Sequence, residues 1–312
     1  MSKYVVTGGA GFIGSSLVRG LLAQGAGKVL VIDNLLTGHE RNLEEVRASI
    51  EFHRVDIRQF DEVAPLVRDA DAVFHLAAIP SVPRSIADPI PSHQVNVDGT
   101  FNVLQACVQG HVRRVVYAAS SSAYGGSDVL PKVETMRADP KSPYAVQKLT
   151  GEFYARVFHS CFGLETVSLR YFNVYGPRQD PSSPYSGIIS LYMTALIEKT
   201  PPTIFGDGEQ SRDFTFVEDV VDITLKAARA GGVAGGLYNA GNGNRYTLNQ
   251  VWETLQRIEG VRIPARYGEP RAGDVRHSQA DTTAAVRDLG LRPRFSLEEG
   301  LRRTLDWYRT AC

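Results

Sequence analysis

Three residue types in the middle of the chain could together move a proton at an alcohol carbon. Tyr144 and Lys148 stand four positions apart in SPYAVQK, a spacing that puts both side chains on one helix face. A phenol is a poor base at its reference pKa of about 10. A neighbouring ammonium favours the phenolate and draws it toward neutral pH. Upstream, RRVVYAAS reads as a strand that ends in Ser120, Ser121 and Ser122. A hydroxyl at a strand end can bond the same substrate oxygen and steady a developing oxyanion.

Such chemistry needs a hydride acceptor, and the amino terminus offers a place for one. In YVVTGGAGFIG a strand ends at Thr7, and Gly8, Gly11 and Gly14 recur before a helix that begins near Ile13. The first glycine allows the turn, the second lets backbone approach a pyrophosphate, and the third lets the helix pack on the sheet. Asp33 follows at the end of the second strand, 19 positions after Gly14, where a carboxylate grips the adenosine ribose. Because it would repel a 2′-phosphate, NAD is expected over NADP. Asp56, after the third strand, is open to two roles: an adenine contact or a helix N-cap.

The elements that must position these groups alternate in type. Strands are expected at Tyr4–Thr7, Lys28–Asp33, Glu51–Val55, Ala72–His75, Arg114–Ala119 and Leu164–Leu169. Amphipathic stretches lie between them at Ile13–Ala23, Asp61–Arg68, Val95–Val108 and Pro143–Cys161. Continuous Val/Ile-rich runs suit a parallel sheet buried on both faces, so the fold class expected is α/β, a doubly wound parallel sheet. After about Phe172 the loops become rich in Pro, Gly and Ser, with helices at Gly187–Glu198, Glu218–Arg229, Leu248–Ile258 and Leu297–Arg309. Loops of this kind beside a regular sheet carry ligand contacts. The Gly231–Gly236 cluster reads as a flexible surface turn.

Bulk properties narrow the partners. The 312 residues are 43% hydrophobic and 22% charged with a formal net charge of zero, which gives no general pull toward nucleic acid or an anionic membrane. No apolar stretch approaches the ~20 residues that span a bilayer. Cys107, Cys161 and Cys312 form no framework, so a reducing cytoplasm is expected. No metal is expected either: His159 and Cys161 lack the further ligands a transition-metal site needs. His75 reads as a hydrogen-bonding scaffold.

The order of these signals resembles the extended short-chain dehydrogenase/reductase family, and within it the nucleotide-sugar 4-epimerases. The likeness spans nearly the whole chain: TGGAGFIG at 7–14, DN at 33–34, HLAA at 75–78, SSSAYG at 120–125, YAVQK at 144–148, RYFNVYGPRQ at 170–179 and RDFTFVEDV at 212–220. It implies a dinucleotide-binding domain over 1–172, with 213–240 returning to it, and a smaller mixed α/β substrate lobe from 173–212 and 241–312. It also implies a retained NAD, and a homodimer built on a helix bundle. The cofactor contacts would then extend to Phe12, Ile13, Asn34, Ile57, Leu76, Ala77 and Ala78, with Tyr144 and Lys148 at the nicotinamide end. SSSAYG is shorter than the SSSAxVYG of many 4-epimerases; its register puts Ser122 first as the catalytic hydroxyl, with Ser121 as the alternative.

On the substrate side the resemblance implies that Arg212 and Arg271 clamp a diphosphate, as bidentate guanidinium groups do. Asn173 would contact a phosphate or the sugar, and Asp274 a uridine ribose hydroxyl. Ser278 stands where bulk would crowd an acetamido group at C2, although other residues could set that volume. Related dehydratases carry an Asp–Glu pair beside the catalytic hydroxyl and decarboxylases a Glu, whereas Ser122–Ala123–Tyr124–Gly125 holds no carboxylate. The expected reaction is therefore inversion at C4 of a UDP-hexose through a 4-keto sugar, including UDP-N-acetylglucosamine and UDP-N-acetylgalactosamine. The alternatives are UDP-glucuronate epimerisation, decarboxylation, net reduction, and a non-catalytic dinucleotide-binding protein of the same fold.

Overall fold

The computed structural model describes residues 2–180, 187–270 and 275–311, so Arg271 and Asp274 lie outside the described residues. Its short apolar runs form strands β1 (Lys3–Thr7), β2 (Lys28–Ile32), β3 (Glu51–His53), β4 (Ala72–His75), β5 (Arg114–Ser120) and β6 (Glu165–Tyr171). Four shorter strands follow, β7 (Val174–Tyr175), β8 (Thr203–Phe205), β9 (Ser211–Arg212) and β10 (Thr215–Phe216), then β11 (Gly236–Ala240), β12 (Tyr246–Thr247) and β13 (Arg266–Gly268). Seven of these make one sheet in the order β11-β6-β5-β4-β1-β2-β3, every pair parallel. The doubly wound fold is therefore present.

Because β1 leads to β2 on one side and its other neighbour is β4, the strand order reverses between β1 and β4. A crevice opens at the carboxyl ends of the strands at such a reversal. Alternation within the strands feeds two cores. Val6, Val29, Val31 and Phe74 face one side, and Val5, Leu30, Ile32 and Val73 face the other.

Helices cover both faces: α1 (Phe12–Ala23), α2 (Phe60–Val67), α3 (Val82–Ala87), α4 (Pro89–His93), α5 (Thr100–Gln109), α6 (Pro143–Phe162) and, in the second half after α7 (Ile188–Ile197), α8 (Val217–Ala227). α8 lies so close to α1 that a Cβ on Gly20 would meet Val221 at 2.6 Å. Of the remaining helices α9 (Leu248–Glu259), α10 (Thr283–Leu289) and α11 (Leu297–Ala311), α10 joins the first sheet core through Ala285 and Leu289, while α9 and α11 form with α7 a third core around Tyr192, Trp252, Leu301 and Tyr308.

Two expectations differ from the structure. The helix expected over Val95–Val108 begins earlier and is interrupted: a π-helical turn at Gln94–Gly99 separates α4 from α5. Asn96, on that turn, exchanges hydrogen bonds of 2.8 and 3.0 Å with the backbone of Ile79, and turns of this type recur where a helix must serve a functional segment. The second difference is β11, which opens on Gly236, the last glycine of the expected surface turn, and pairs with β6 from Gly236↔Val167 to Ala240↔Tyr171.

Candidate active site

The site begins with a helix that leaves its amino end open. Gly11 is the N-cap of α1 and supplies no side-chain cap, so first-turn amides are left for a ligand. Gly8 has φ +72°, and a Cβ there would meet the Ala77 amide nitrogen at 2.7 Å. A Cβ on Gly14 would collide with the Gly8 carbonyl oxygen. The three glycines therefore bring β1, α1 and the segment after β4 into close approach around one crevice.

That crevice is a cavity of about 450 Å³, and its walls include Gly8, Gly11, Phe12, Ile13 and Gly14 at the bottom. Its walls also include Asp33 and Asn34 after β2, Ile57 after β3, Leu76, Ala77 and Ala78 after β4, and Tyr144 and Lys148 on α6. Asp33 is held in place by the Ala10 and Leu35 amides, which donate to it at 2.9 and 2.8 Å. Burial raises its pKa, and those two amides oppose the rise. The missing side chains, the uncapped helix end and the carboxylate after β2 suit a dinucleotide in both shape and charge.

Asp56 stands outside these walls. Arg58 pairs with it at 2.8 and 3.0 Å and holds its carboxyl down at about 2. It also receives the Asn34 amide at 2.8 Å. The N-cap of α2 is Gln59, so Asp56 does not fill the N-cap role expected of it. It braces Asn34.

At the catalytic end α6 is capped by Ser142, whose hydroxyl accepts from the Ala145 amide at 3.2 Å, and Pro143 starts its first turn. A second anchor is the Tyr144 amide, which donates to the Ser85 hydroxyl on α3 at 3.1 Å. Gly151 lets the helix settle against Tyr117 on β5, whose hydroxyl donates to the Lys148 carbonyl at 3.2 Å. Lys148 Nζ lies 4.5 Å from the centre of the Tyr117 ring.

Burial acts on both members of the pair. It raises the Tyr144 phenol, an effect that a hydrogen bond with Ser120 partly offsets. It also lowers Lys148 to about 7. A charge on either group alone is costly there, whereas a phenolate beside an ammonium offsets both costs.

The three serines are placed differently from the expected register. Ser120 lines the cavity and bonds Tyr144, while Ser121 and Ser122 are absent from its described walls. The chain turns into a 3₁₀ turn at Ser121–Tyr124 directly after β5. Ser122 then points back, its hydroxyl donating to Ser120 Oγ at 2.9 Å. Three serines in a row carried no register of their own; the end of β5 supplied it.

A second cavity of about 230 Å³ holds Asn173 and Arg212, together with Phe205, Gln210 and Leu248. It shares Val174, Gln179 and Gly187 with the first. Arg212 is oriented by the Ser211 and Arg276 carbonyls at 3.0 and 3.2 Å. Ser278 lines neither cavity; its amide donates to the Ser211 carbonyl at 3.0 Å, one residue from Arg212. Neither Ser120 nor Arg84 on α3 is among the residues expected at the site, and both line the larger cavity.

His75 bridges Thr7 and Thr100 at 2.7 and 2.9 Å. Burial first, and then the Lys148 charge, lower it to about 3, so it is a neutral brace. Among the described residues no group of His, Cys, Asp and Glu could hold a metal ion.

Comparison with known proteins gives consistent results. Residues 4–241 match the NAD dependent epimerase/dehydratase family. The chain is 39% identical over 313 residues to a UDP-glucose 4-epimerase of Mycolicibacterium smegmatis, covering 98% of each. It is 34% identical to a UDP-glucuronate 4-epimerase of Thermodesulfobacterium geofontis, covering 98% of this chain and 96% of that one. Among solved structures, a UDP-N-acetylglucosamine 4-epimerase from Methanobrevibacter ruminantium M1, in complex with UDP-N-acetylmuramic acid, superimposes with a TM-score of 0.95 at 36% identity. The match covers 100% of this chain and 99% of that one.

Proposed function

Because the chain belongs to the NAD dependent epimerase/dehydratase family, we propose that it inverts C4 of a UDP-hexose through a transient 4-keto sugar, acetamido sugars included. The observation that carries this reading is the convergence of Tyr144, Lys148 and Ser120 in the dinucleotide cavity. No acid stands free beside them: the acids of the described walls are Asp33 and Asp180. Asp33 is held by two amides and Asp180 by His39 at 3.0 Å. A site with no further acid or base near the reacting carbon can return that carbon to an alcohol, and lacks the group needed to remove water across the ring.

NAD is the cofactor; the glycines, the α1 amides and Asp33 would hold it, and it supplies reversible hydride acceptance and donation when bound. The protein's own part is proton handling and position. Tyr144 takes the proton of the C4 hydroxyl as the ketone forms, Lys148 stabilises the phenolate, and Ser120 donates to the same oxygen. Arg212 and Asn173 hold the diphosphate while the 4-keto sugar turns about its link to it. Tyr144 then returns the proton to the opposite epimer.

A second reading has one observation in its favour. Arg84 lines the same cavity as Ser120 and Tyr144 and precedes Ser85, which holds the Tyr144 amide; a carboxylate at C6 of a uronate would pair with its guanidinium. The test is a panel of UDP-galactose, UDP-N-acetylgalactosamine and UDP-glucuronate without added oxidant, with the products separated. Conversion of the first two to their gluco epimers supports the proposal. Exclusive turnover of UDP-glucuronate selects the second reading, and inertness toward all three sinks both. Within the same panel, Ser278→Tyr is expected to depress acetamido turnover far more than that of UDP-galactose; equal losses would discard Ser278 as the gate.

We infer that the working form is a homodimer. Phe101 on α5 and Val146, Phe153, Val157 and Phe162 on α6 are exposed, an apolar surface of the kind that marks a protein contact. A second copy laying the same two helices there would complete a four-helix bundle. We place the protein in the cytoplasm, where an exposed thiol such as Cys161 stays reduced. Among the described residues no helix is long and apolar enough to cross a membrane.

A further inference from the structure

The four-residue spacing of α6 continues past the catalytic pair to Glu152. This carboxylate is 6% exposed and is absent from the described walls of both cavities. Arg170 takes both of its oxygens, Nε donating to Oε1 at 2.9 Å and an Nη to Oε2 at 2.7 Å. Arg170 is the next-to-last residue of β6 and stands opposite Ala119, one step before Ser120. Its guanidinium lies 4.4 Å from the centre of the Tyr124 ring, just past the serine turn. The Tyr124 hydroxyl in turn donates to Asn239 at 2.6 Å.

A buried ion pair of this kind is a poor stabiliser, because an apolar pair of similar volume does as well or better. Its charge is the feature an apolar pair could not supply. The groups placed against Lys148 are Glu152 on α6, His75 on β4 and Tyr117 on β5, with Tyr144 one turn before it on the same helix face and Arg170 on β6 behind Glu152. His75 is neutral and burial keeps the Tyr117 phenol protonated. Glu152 is thus the one carboxylate among them.

We propose that Glu152, clamped by Arg170, is a positioning residue for the reaction: its negative charge holds the Lys148 proton within the Tyr144–Lys148 pair and ties α6 to the Ser120 turn. The idea rests on the reading of that pair as the proton-handling group. Burial lowers Lys148, and Glu152 is the group that opposes the fall. The sign follows. A negative charge disfavours proton loss from Lys148, so its removal makes that loss easier.

The test is the pH dependence of kcat/KM for UDP-galactose in the NAD-loaded enzyme. In Glu152→Gln the alkaline limb, where Lys148 loses its proton, is expected to move to lower pH by about one unit, while Glu152→Asp keeps the wild-type position. If Glu152→Gln does not fold, the double variant E152Q/R170M leaves no unpaired charge inside and reads a downward shift of the same limb, smaller because the Arg170 charge goes with it. Limbs that superimpose on the wild type, whatever the change in height, would overturn the proposal. Failure of the wild type to act on any UDP-hexose would instead overturn the reading of the site beneath it.

Discussion

Ser120 and Ser122 differ by two positions and by everything that matters to a reacting oxygen. Ser120 is aimed at Tyr144, and Ser122 spends its hydrogen on Ser120. Ser120→Ala is therefore expected to lower kcat by about 10²–10³-fold, the usual loss for one donor to a developing oxyanion. Ser122→Ala, which removes only the brace, should lose less than about tenfold by the same comparison. Steady-state rates on UDP-galactose decide it, and equal losses would return the catalytic role to Ser122. That Tyr144 and Lys148 share one cavity was legible in their four-residue spacing. The serine was not, because its role depends on where β5 stops, and that is set by pairing with β6 up to Ser120↔Tyr171.

Elements translate these residues into places. The glycines of the first turn show how little freedom the backbone has: a Cβ at position 14 would fall on the Gly8 carbonyl oxygen. Gly14→Ala must push α1 away from β1, so the variant is expected to lose NAD binding, measured as the cofactor retained after gel filtration. Retention equal to the wild type would show that the close packing is not needed for binding. Most helices were legible in the 3.6-residue period of their apolar faces. The π-helical turn was not, because it arises from Asn96 reaching across to Ile79. Nor was β11, whose five residues become a strand only through pairing with β6, about 70 positions upstream.

At the scale of the whole molecule, two sheet cores and a third core in the second half leave the apolar side of α5 and α6 uncovered. Phe153→Asp with Val157→Asp is expected to convert a dimer to a monomer in sedimentation velocity, and a wild type that is already monomeric would dismiss the dimer. The crevice at the strand reversal was legible from alternation of elements, and Asn173 and Arg212 fell together as the resemblance implied. Arg84 was not foreseen, since α3 follows a loop whose course no local pattern dictates. The proposed function turns on proton transfer by one buried phenol. The most direct measurement compares Tyr144→Phe with the wild type for conversion of UDP-galactose to UDP-glucose, with folding and retained NAD verified for both. The account predicts a loss of about 10²–10⁴-fold in kcat; a variant that turns over at the wild-type rate would contradict it.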